Sequence, residues 1–171
     1  MKILLTYSSK TGNTEKVAEA IKDIIPEDFH FCKVQDAPSP EEFDVILIGF
    51  WVDRAMPDRD ALEYMQKIKG KKVGIFATLG AYPDSPHGRE SMQNARDIVK
   101  ENEIIGDFIC QGKIDEKLVE MFKSLPDNHP HAITEEKLKR YEIASRHPNE
   151  EDFERAKHIF KLAFKSLAVE V

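Results

Sequence analysis

The sequence predicts an α/β protein with an open parallel sheet and helices on both faces. Strand-like apolar runs alternate with helix-like segments over the first two-thirds of the 171 residues. The run at residues 43–50 is apolar almost throughout, which is typical of a central parallel strand that is buried on both faces. In such sheets a ligand binds beyond the carboxyl ends of the strands. We therefore expect the functional site in the loops after residues 7, 50 and 78.

Each predicted element follows from its pattern of apolar residues. Strands are predicted over short apolar runs at residues 2–7, 29–34, 43–50, 72–78 and 104–111. Helices are predicted where apolar residues recur at helical spacing, at residues 14–25, 58–68, 115–124 and from Ser85-Pro86 onward. A strongly amphipathic helix is predicted after Asn149, which is a suitable N-cap. Residues 1–171 are expected to form one domain, in which residues 126–148 are a surface insertion that contains another suitable cap, Thr134.

Composition and charge limit the classes of partner and site. The chain has 25 Lys and Arg against 31 Asp and Glu, a net charge of -6, which argues against nucleic acid and anionic membranes as partners. Cys32 and Cys110 lie in apolar segments, and we expect both to be buried free thiols. His129 and His131 have no further ligand at metal spacing, so no metal site is predicted. The sequence begins with a strand-like run and has no apolar stretch of membrane-spanning length, so a cytoplasmic location is predicted.

The loop between the first strand and the first helix is the clearest motif in the sequence. It reads Ser8-Ser9-Lys10-Thr11-Gly12-Asn13-Thr14. A helix N-terminus offers unpaired N–H groups and the positive end of the helix dipole to an anion. Gly12 allows a close approach of the backbone, and the hydroxyls of Ser9, Thr11 and Thr14 add donors. The loop therefore predicts a site for a monoester phosphate, with simple capping of the helix as the alternative.

The segment Ser9-Lys10-Thr11-Gly12-Asn13-Thr14 resembles the signature of the flavodoxin family, in which [S/T]-x-T-G-N-T follows the first strand. The resemblance covers about residues 1–125 as an order of strands and loops, and the longer helical C-terminus resembles a subgroup of the family. It implies a flavodoxin-like, doubly wound sheet of five strands in the order 2-1-3-4-5. It also implies FMN as cofactor, with this loop around its phosphate and Lys10 at the variable position, pointing to solvent.

The loop after the third strand is expected to hold one face of the flavin ring. The candidate residues there are Phe50, Trp51, Val52 and Asp53. Trp51 is the single tryptophan of the chain, and its flat ring suits stacking on an isoalloxazine, with burial for packing as the alternative. Many flavodoxins have a glycine in this loop, at a peptide that turns over to bond the reduced flavin. No glycine stands between Trp51 and Gly70 here, and Asp53 is the residue expected to tolerate left-handed geometry.

The loop after the fourth predicted strand is expected to hold the rest of the ring. The candidate residues there are Thr78, Leu79, Gly80 and Tyr82. The resemblance implies that this loop offers backbone groups to the pyrimidine end of the flavin. It also implies that a tyrosine covers the second face, for which Tyr82 is the candidate, with an ordinary loop tyrosine as the alternative.

These predictions favour an electron carrier that passes electrons between redox partners, a reductase and an acceptor. The flavodoxin subgroup with a longer helical C-terminus, which this chain resembles, includes members that serve a reductase of linear tetrapyrroles. The resemblance therefore implies such a reductase as one partner. The alternative is an FMN-dependent NAD(P)H oxidoreductase acting on a quinone or similar acceptor, with a substrate pocket built by residues 126–148. The sequence leaves open which of the two it is. A phospho-acceptor signalling domain is excluded, because Tyr7-Ser8 and Gly49-Phe50 stand where it needs acidic residues.

Overall fold

The computed structural model describes residues 1–26 and 28–169. Its strands are β1 Ile3–Tyr7, β2 Phe29–Lys33, β3 Val45–Asp53, β4 Met56–Pro57, β5 Lys72–Leu79 and β6 Glu103–Gln111. Its helices are α1 Asn13–Lys22, α2 Arg59–Met65, α3 Pro86–Ile98, α4 Glu116–Lys123, α5 Glu135–Ala144 and α6 Glu150–Val169.

Five parallel strands form the sheet in the order β2-β1-β3-β5-β6. The predicted α/β sheet is confirmed, and its predicted order is the same five-strand order. The sequence does not predict β4, a two-residue strand that pairs antiparallel with the end of β3.

Burial on both faces of the sheet explains why the central strands are apolar throughout. All five residues of β1 are buried, as are the first six of β3. One core lies between the sheet and helices α2 and α3, and the other lies between the sheet and helices α1 and α6. The predicted final helix contributes Phe160 to the second core, where its ring meets the edge of Phe76 with 6.4 Å between centroids. The two cores thus cover both faces of the sheet and hold the carboxyl ends of its strands in fixed positions.

Residues 126–148 contain α5, and the C-terminal end of this segment is hydrogen-bonded to the loop after β6. Thr134 caps α5, since its hydroxyl accepts a hydrogen bond from the Lys137 N–H at 3.1 Å. The Lys113 N–H donates to the carbonyl of His147 at 2.9 Å, which joins the end of the segment to the loop after β6. Asn149 caps α6 by accepting from the Asp152 N–H at 3.2 Å. Both predicted caps are confirmed.

The two thiols differ in burial. Cys110 is fully buried in β6, as expected, but Cys32 is only half-buried. The expectation of a buried Cys32 is wrong because β2 is an edge strand, so one side of it faces solvent. Burial raises the pKa of both thiols. Within the described residues, no group of three or more His, Cys, Asp or Glu is placed to hold a metal ion, and no helix is long and apolar enough to cross a membrane.

Candidate functional site

A cavity of about 650 Å³ opens at the carboxyl end of the sheet. The loops after β1, β3 and β5 meet there, as the topology predicts, and the loop after β6 and helices α4 and α5 close its far side. The predicted site residues that line it are Ser9, Lys10, Thr11, Asn13, Thr14, Trp51, Val52, Thr78, Leu79, Gly80 and Tyr82. The structure thus brings residues from three separate loops to one place.

Four predicted site residues do not line this cavity. Phe50 is buried in the core between the sheet and α2 and α3, so its side chain points away from the opening. Ser8 is buried beneath the loop, and Gly12 caps α1. Asp53 is exposed on the hairpin that joins β3 to β4. These four residues are therefore not part of the cavity wall.

The loop Ser9–Thr14, here called the phosphate loop, has the geometry of an anion site. Gly12 has a φ of 96°, in the region that favours glycine, and its N–H donates to Ser9 Oγ at 3.1 Å. Helix α1 has no side-chain cap, whereas Asp58, Ser85, Asp115 and Thr134 cap helices α2 to α5. The first N–H groups of α1 therefore have no partner within the helix and can bind an anion.

Two hydrogen bonds tie the phosphate loop to strand β5 and to the loop after β6. The hydroxyls of Thr14 and Thr78 are 2.9 Å apart, and both side chains are buried. Asn13 Nδ2 donates to the carbonyl of Lys113 at 2.9 Å. Gly112 allows this contact, because a Cβ there would lie 2.5 Å from Asn13 Nδ2. The loop after β6 is therefore held directly against the start of α1.

Asp58 is a structural residue of this site that the sequence prediction did not identify. Its Oδ2 accepts from Ser8 Oγ at 2.5 Å, and its Oδ1 accepts from the Trp51 N–H at 3.2 Å. The same carboxylate caps α2 through the Ala61 N–H. Burial raises the pKa of Asp58, and the three hydrogen bonds oppose that rise. One buried carboxylate thus joins the phosphate loop, the loop that carries Trp51 and the start of a helix.

Lys10 is exposed to solvent, as the resemblance implied, but its side chain also lies near the Trp51 ring. Its ammonium lies 5.4 Å from the centre of the Trp51 ring, and both residues line the cavity. A cation over an indole face is attracted by the negative face of the ring. The variable position of the motif therefore contributes a positive charge at the site.

The backbone conformation at the end of β3 differs from the expectation that Asp53 has left-handed geometry. Asp53 is extended and pairs with Met56, while Arg54 and Ala55 have φ values of 51° and 62°. Two consecutive residues with positive φ form the tight turn that matches the twist of a hairpin. Asn94 Nδ2 donates to the Ala55 carbonyl at 2.8 Å and supports this turn. The left-handed residues are therefore Arg54 and Ala55, which form the hairpin turn.

The charge of the cavity wall is opposite to that of the whole chain. Of the described residues that line it, Asp115 is the one carboxylate, whereas the Lys and Arg side chains are Lys10, Lys113, Lys137 and Arg140. The chain as a whole carries -6. A cationic wall in an acidic protein favours an anionic ligand.

These features fit FMN. The phosphate loop suits a terminal phosphate, and Trp51 and Tyr82 offer aromatic rings for a flat ligand. The volume lies within the range of pockets that enclose small molecules and cofactors. The Leu79 carbonyl at the end of β5 accepts from the Gly112 N–H at 2.8 Å, so this backbone group is already bonded within the chain.

Comparison with known proteins places the chain in a family. A family model described as a flavodoxin domain matches residues 4–161. The "Flavodoxin-like domain-containing protein BilS" of Clostridioides difficile (strain CD3) is 36% identical over an alignment of 161 residues that covers 89% of this chain and 90% of that protein. A protein of the same description from Clostridium symbiosum (strain WAL-14163) is 25% identical over 178 residues, covering 92% and 93% of the two chains.

Solved structures show the same fold. Oxidised Flavodoxin 2 from Bacillus cereus matches with a TM-score of 0.58 and 20% identity, covering 97% of this chain and 99% of its own. The flavodoxin of Streptococcus pneumonia TIGR4 matches with a TM-score of 0.59 and 14% identity over the whole of both chains. The solved structures show only a shared fold, whereas the family model and the 36% identical relative show that the chain is a member of the family. The chain belongs to the flavodoxin family of FMN-binding electron-transfer proteins, and FMN is its cofactor.

Proposed function

We propose that this protein carries electrons between redox partner proteins, with the FMN phosphate in the phosphate loop and the flavin ring between Trp51 and Tyr82. The observation that supports this most is the asymmetry of the cavity. The phosphate loop is tied to β5 and to the loop after β6, whereas Tyr82 at the other side is more than a third exposed. A cofactor held in this way has one fixed end and one end that a partner can reach.

The roles of the chain's own residues follow from these positions. The first N–H groups of α1 and the hydroxyls of Ser9 and Thr11 bind the phosphate. Lys10 balances its charge from above the Trp51 ring. Bound FMN supplies reversible uptake and release of electrons. Trp51 and Tyr82 exclude water from the faces of the flavin ring and leave its edge for a partner.

Replacing Thr11 with valine is expected to weaken FMN binding by about 1–3 kcal/mol, the cost of losing one charge-assisted hydrogen bond. Thr14→Val is expected to weaken FMN as well, and also to lower the free energy of unfolding by about 1–2 kcal/mol because the buried Thr78 hydroxyl loses its partner. Isothermal titration and urea unfolding measure the two effects. Riboflavin, which lacks the phosphate, is the control, and an equal loss for riboflavin contradicts a phosphate contact.

Tryptophan emission is expected to fall strongly when FMN binds, because the single tryptophan then lies against a flavin ring. Titration of the apoprotein followed at the tryptophan emission maximum measures this. Riboflavin at saturation is expected to quench to the same extent, since the ring and not the phosphate causes the effect. Full FMN binding with unchanged emission would show that Trp51 does not face the flavin.

The choice between carrier and enzyme depends on where the electrons come from. Stopped-flow mixing of the FMN-loaded protein with NADH and with NADPH tests it directly. A carrier is expected to be reduced slowly by both nucleotides and quickly only when a reductase is added. Rapid direct reduction would favour an FMN-dependent NAD(P)H oxidoreductase. A reductase of linear tetrapyrroles as the acceptor stays a prediction.

A further inference from the structure

The cavity extends beyond the three loops assigned to FMN. Its far side is made by α4, α5 and the segment between them, here called the insertion wall, which consists of Leu118, Phe122, His131, Lys137, Arg140 and Tyr141. None of these residues belongs to the phosphate loop or to the loops after β3 and β5. The proposed contacts of FMN therefore leave this wall without an assigned ligand.

Arg140 is the most informative residue of the insertion wall. Its Nε is buried and has no hydrogen-bond partner among the described residues. Its guanidinium carbon lies 5.4 Å from the centre of the Tyr141 ring, and no described carboxylate pairs with it. A buried donor without an acceptor destabilises the folded state, and a charged donor does so more strongly. Arg140 itself lines the cavity, so an anionic group bound there would give its guanidinium the carboxylate partner that it lacks among the described residues.

Other arginines of the chain show what is unusual here. Arg59, Arg96 and Arg146 each have a carboxylate partner within 3.2 Å. Of these, Arg146 is bound to Glu142 and lies in the same insertion as Arg140, but it does not line the cavity. Arg54 and Arg89 also have no carboxylate partner among the described residues, but both are exposed, whereas Arg140 is the arginine with a buried nitrogen that has no acceptor there.

The rest of the insertion wall is flat, largely apolar and held in place. Phe122 and His131 stack with 5.3 Å between ring centres and 14° between planes. Lys137 Nζ donates to the carbonyls of Pro130 at 2.7 Å and Ala132 at 3.0 Å, which fixes the segment between the helices to α5. Leu118 lines the cavity with 38% of its surface exposed. Stacked rings and an exposed leucine beside a guanidinium suit a ligand with a flat apolar body and one acidic group.

We propose that the insertion wall binds a second small ligand beside FMN, a flat apolar carboxylate whose acidic group is anchored by Arg140. This rests on the proposed function, because it requires FMN to occupy the phosphate loop and the two flavin loops. Arg140 binds the carboxylate through paired N–H donors, and the Phe122–His131 stack and Leu118 cover the apolar body. An uncharged compound of the same shape lacks the group that satisfies Arg140 and binds more weakly.

Isothermal titration of the FMN-loaded protein tests the proposal with 2-naphthoate and, as the uncharged match, 2-naphthylmethanol. Naphthoate is expected to bind at one site per chain and about tenfold more tightly than the alcohol, the equivalent of one charge-assisted hydrogen bond. Arg140→Gln is expected to lose about that tenfold preference and to keep its FMN affinity. Arg140→Lys is expected to keep part of the preference. Arg146→Gln, the matched control, is expected to behave like the wild type.

Several outcomes would overturn the proposal. Naphthoate affinity that is unchanged in Arg140→Gln shows that Arg140 is not the anchor. Naphthoate that binds the protein only without FMN shows that it occupies the cofactor site. An FMN affinity that falls as much as the naphthoate affinity in Arg140→Gln assigns Arg140 to the cofactor. A wild type that takes up no FMN when it is loaded refutes the proposed function, and this inference with it. A wild type that binds FMN but no naphthoate refutes only the second site.

Discussion

Replacing Asp58 with alanine is expected to lower the free energy of unfolding by about 2–4 kcal/mol, because two buried donors and one part-buried donor lose their acceptor at once. These donors are the Ser8 hydroxyl and the N–H groups of Trp51 and Ala61. FMN binding is expected to weaken in the same variant, since both the base of the phosphate loop and the loop that carries Trp51 are released. Urea unfolding and FMN titration measure the two effects.

Asp60→Ala is the matched control for this prediction. Asp60 lies two residues further along the chain, in α2, is exposed, and accepts a hydrogen bond from Gln35 at 2.7 Å. Its loss is expected to change the unfolding free energy by less than about 0.5 kcal/mol. If Asp58→Ala is no more destabilising than Asp60→Ala, the buried carboxylate does not join the two loops.

Asp58 also gives the stability a distinctive dependence on pH. Burial raises its pKa in the folded state above the ordinary value near 4. The folded protein therefore holds this proton more tightly than the unfolded chain, and the contribution of Asp58 is greatest below that ordinary value. Relative to Asp58→Asn, the wild type is expected to lose stability as the pH rises through the raised pKa, and then to level off. Urea unfolding of both proteins across this range measures the difference.

Gly12→Ala is expected to cost about 1–2 kcal/mol, because an L side chain resists a φ of 96°. A Cβ at this position meets nothing within 4 Å, so the cost is one of backbone conformation and not of packing. In the variant the phosphate loop relieves this strain by leaving its binding conformation. FMN must then return the loop to that conformation when it binds. Part of the cost is therefore expected to show as weaker FMN binding and the rest as lower stability.

Gly70→Ala separates the two parts of this effect. Gly70 also has a positive φ, 63°, and a Cβ there would again meet open space, but Gly70 precedes β5 at the opposite end of that strand from the cavity. Its replacement is expected to lower the unfolding free energy by about 1 kcal/mol and to leave FMN affinity unchanged. An equal loss of FMN affinity in both variants would mean that Gly12 acts through global stability alone.

The parts of the fold that the sequence predicts are those encoded locally. Apolar runs such as β3 and β5 indicate buried strands by themselves, and the phosphate loop is one contiguous segment between a strand and a helix. The topology then places the loops after β1, β3 and β5 together without any knowledge of side-chain contacts.

The parts that the sequence does not predict depend on partners that are distant in the chain. Asp58 is recognisable as a helix cap, but its bond to Ser8 joins residues 50 positions apart. Arg54-Ala55 is not a turn sequence with glycine or asparagine, so the hairpin becomes visible only in the structure. Lys10 is a variable residue of the motif, and the Trp51 ring beneath it comes from another loop. Each of these contacts is a property of the folded chain.

The packing of α4 and α5 has a consequence for how this protein can change during evolution. No residue of α4 is buried, and α5 buries only Ala144, whereas α1 and α6 contribute to the core. Substitutions on exposed helical surfaces usually alter stability little. The residues that face the cavity from this side can therefore vary without unfolding the sheet or disturbing the phosphate loop. Cofactor binding therefore depends on the packed part of the fold, whereas specificity for a ligand or partner beside the cofactor depends on helices that can vary.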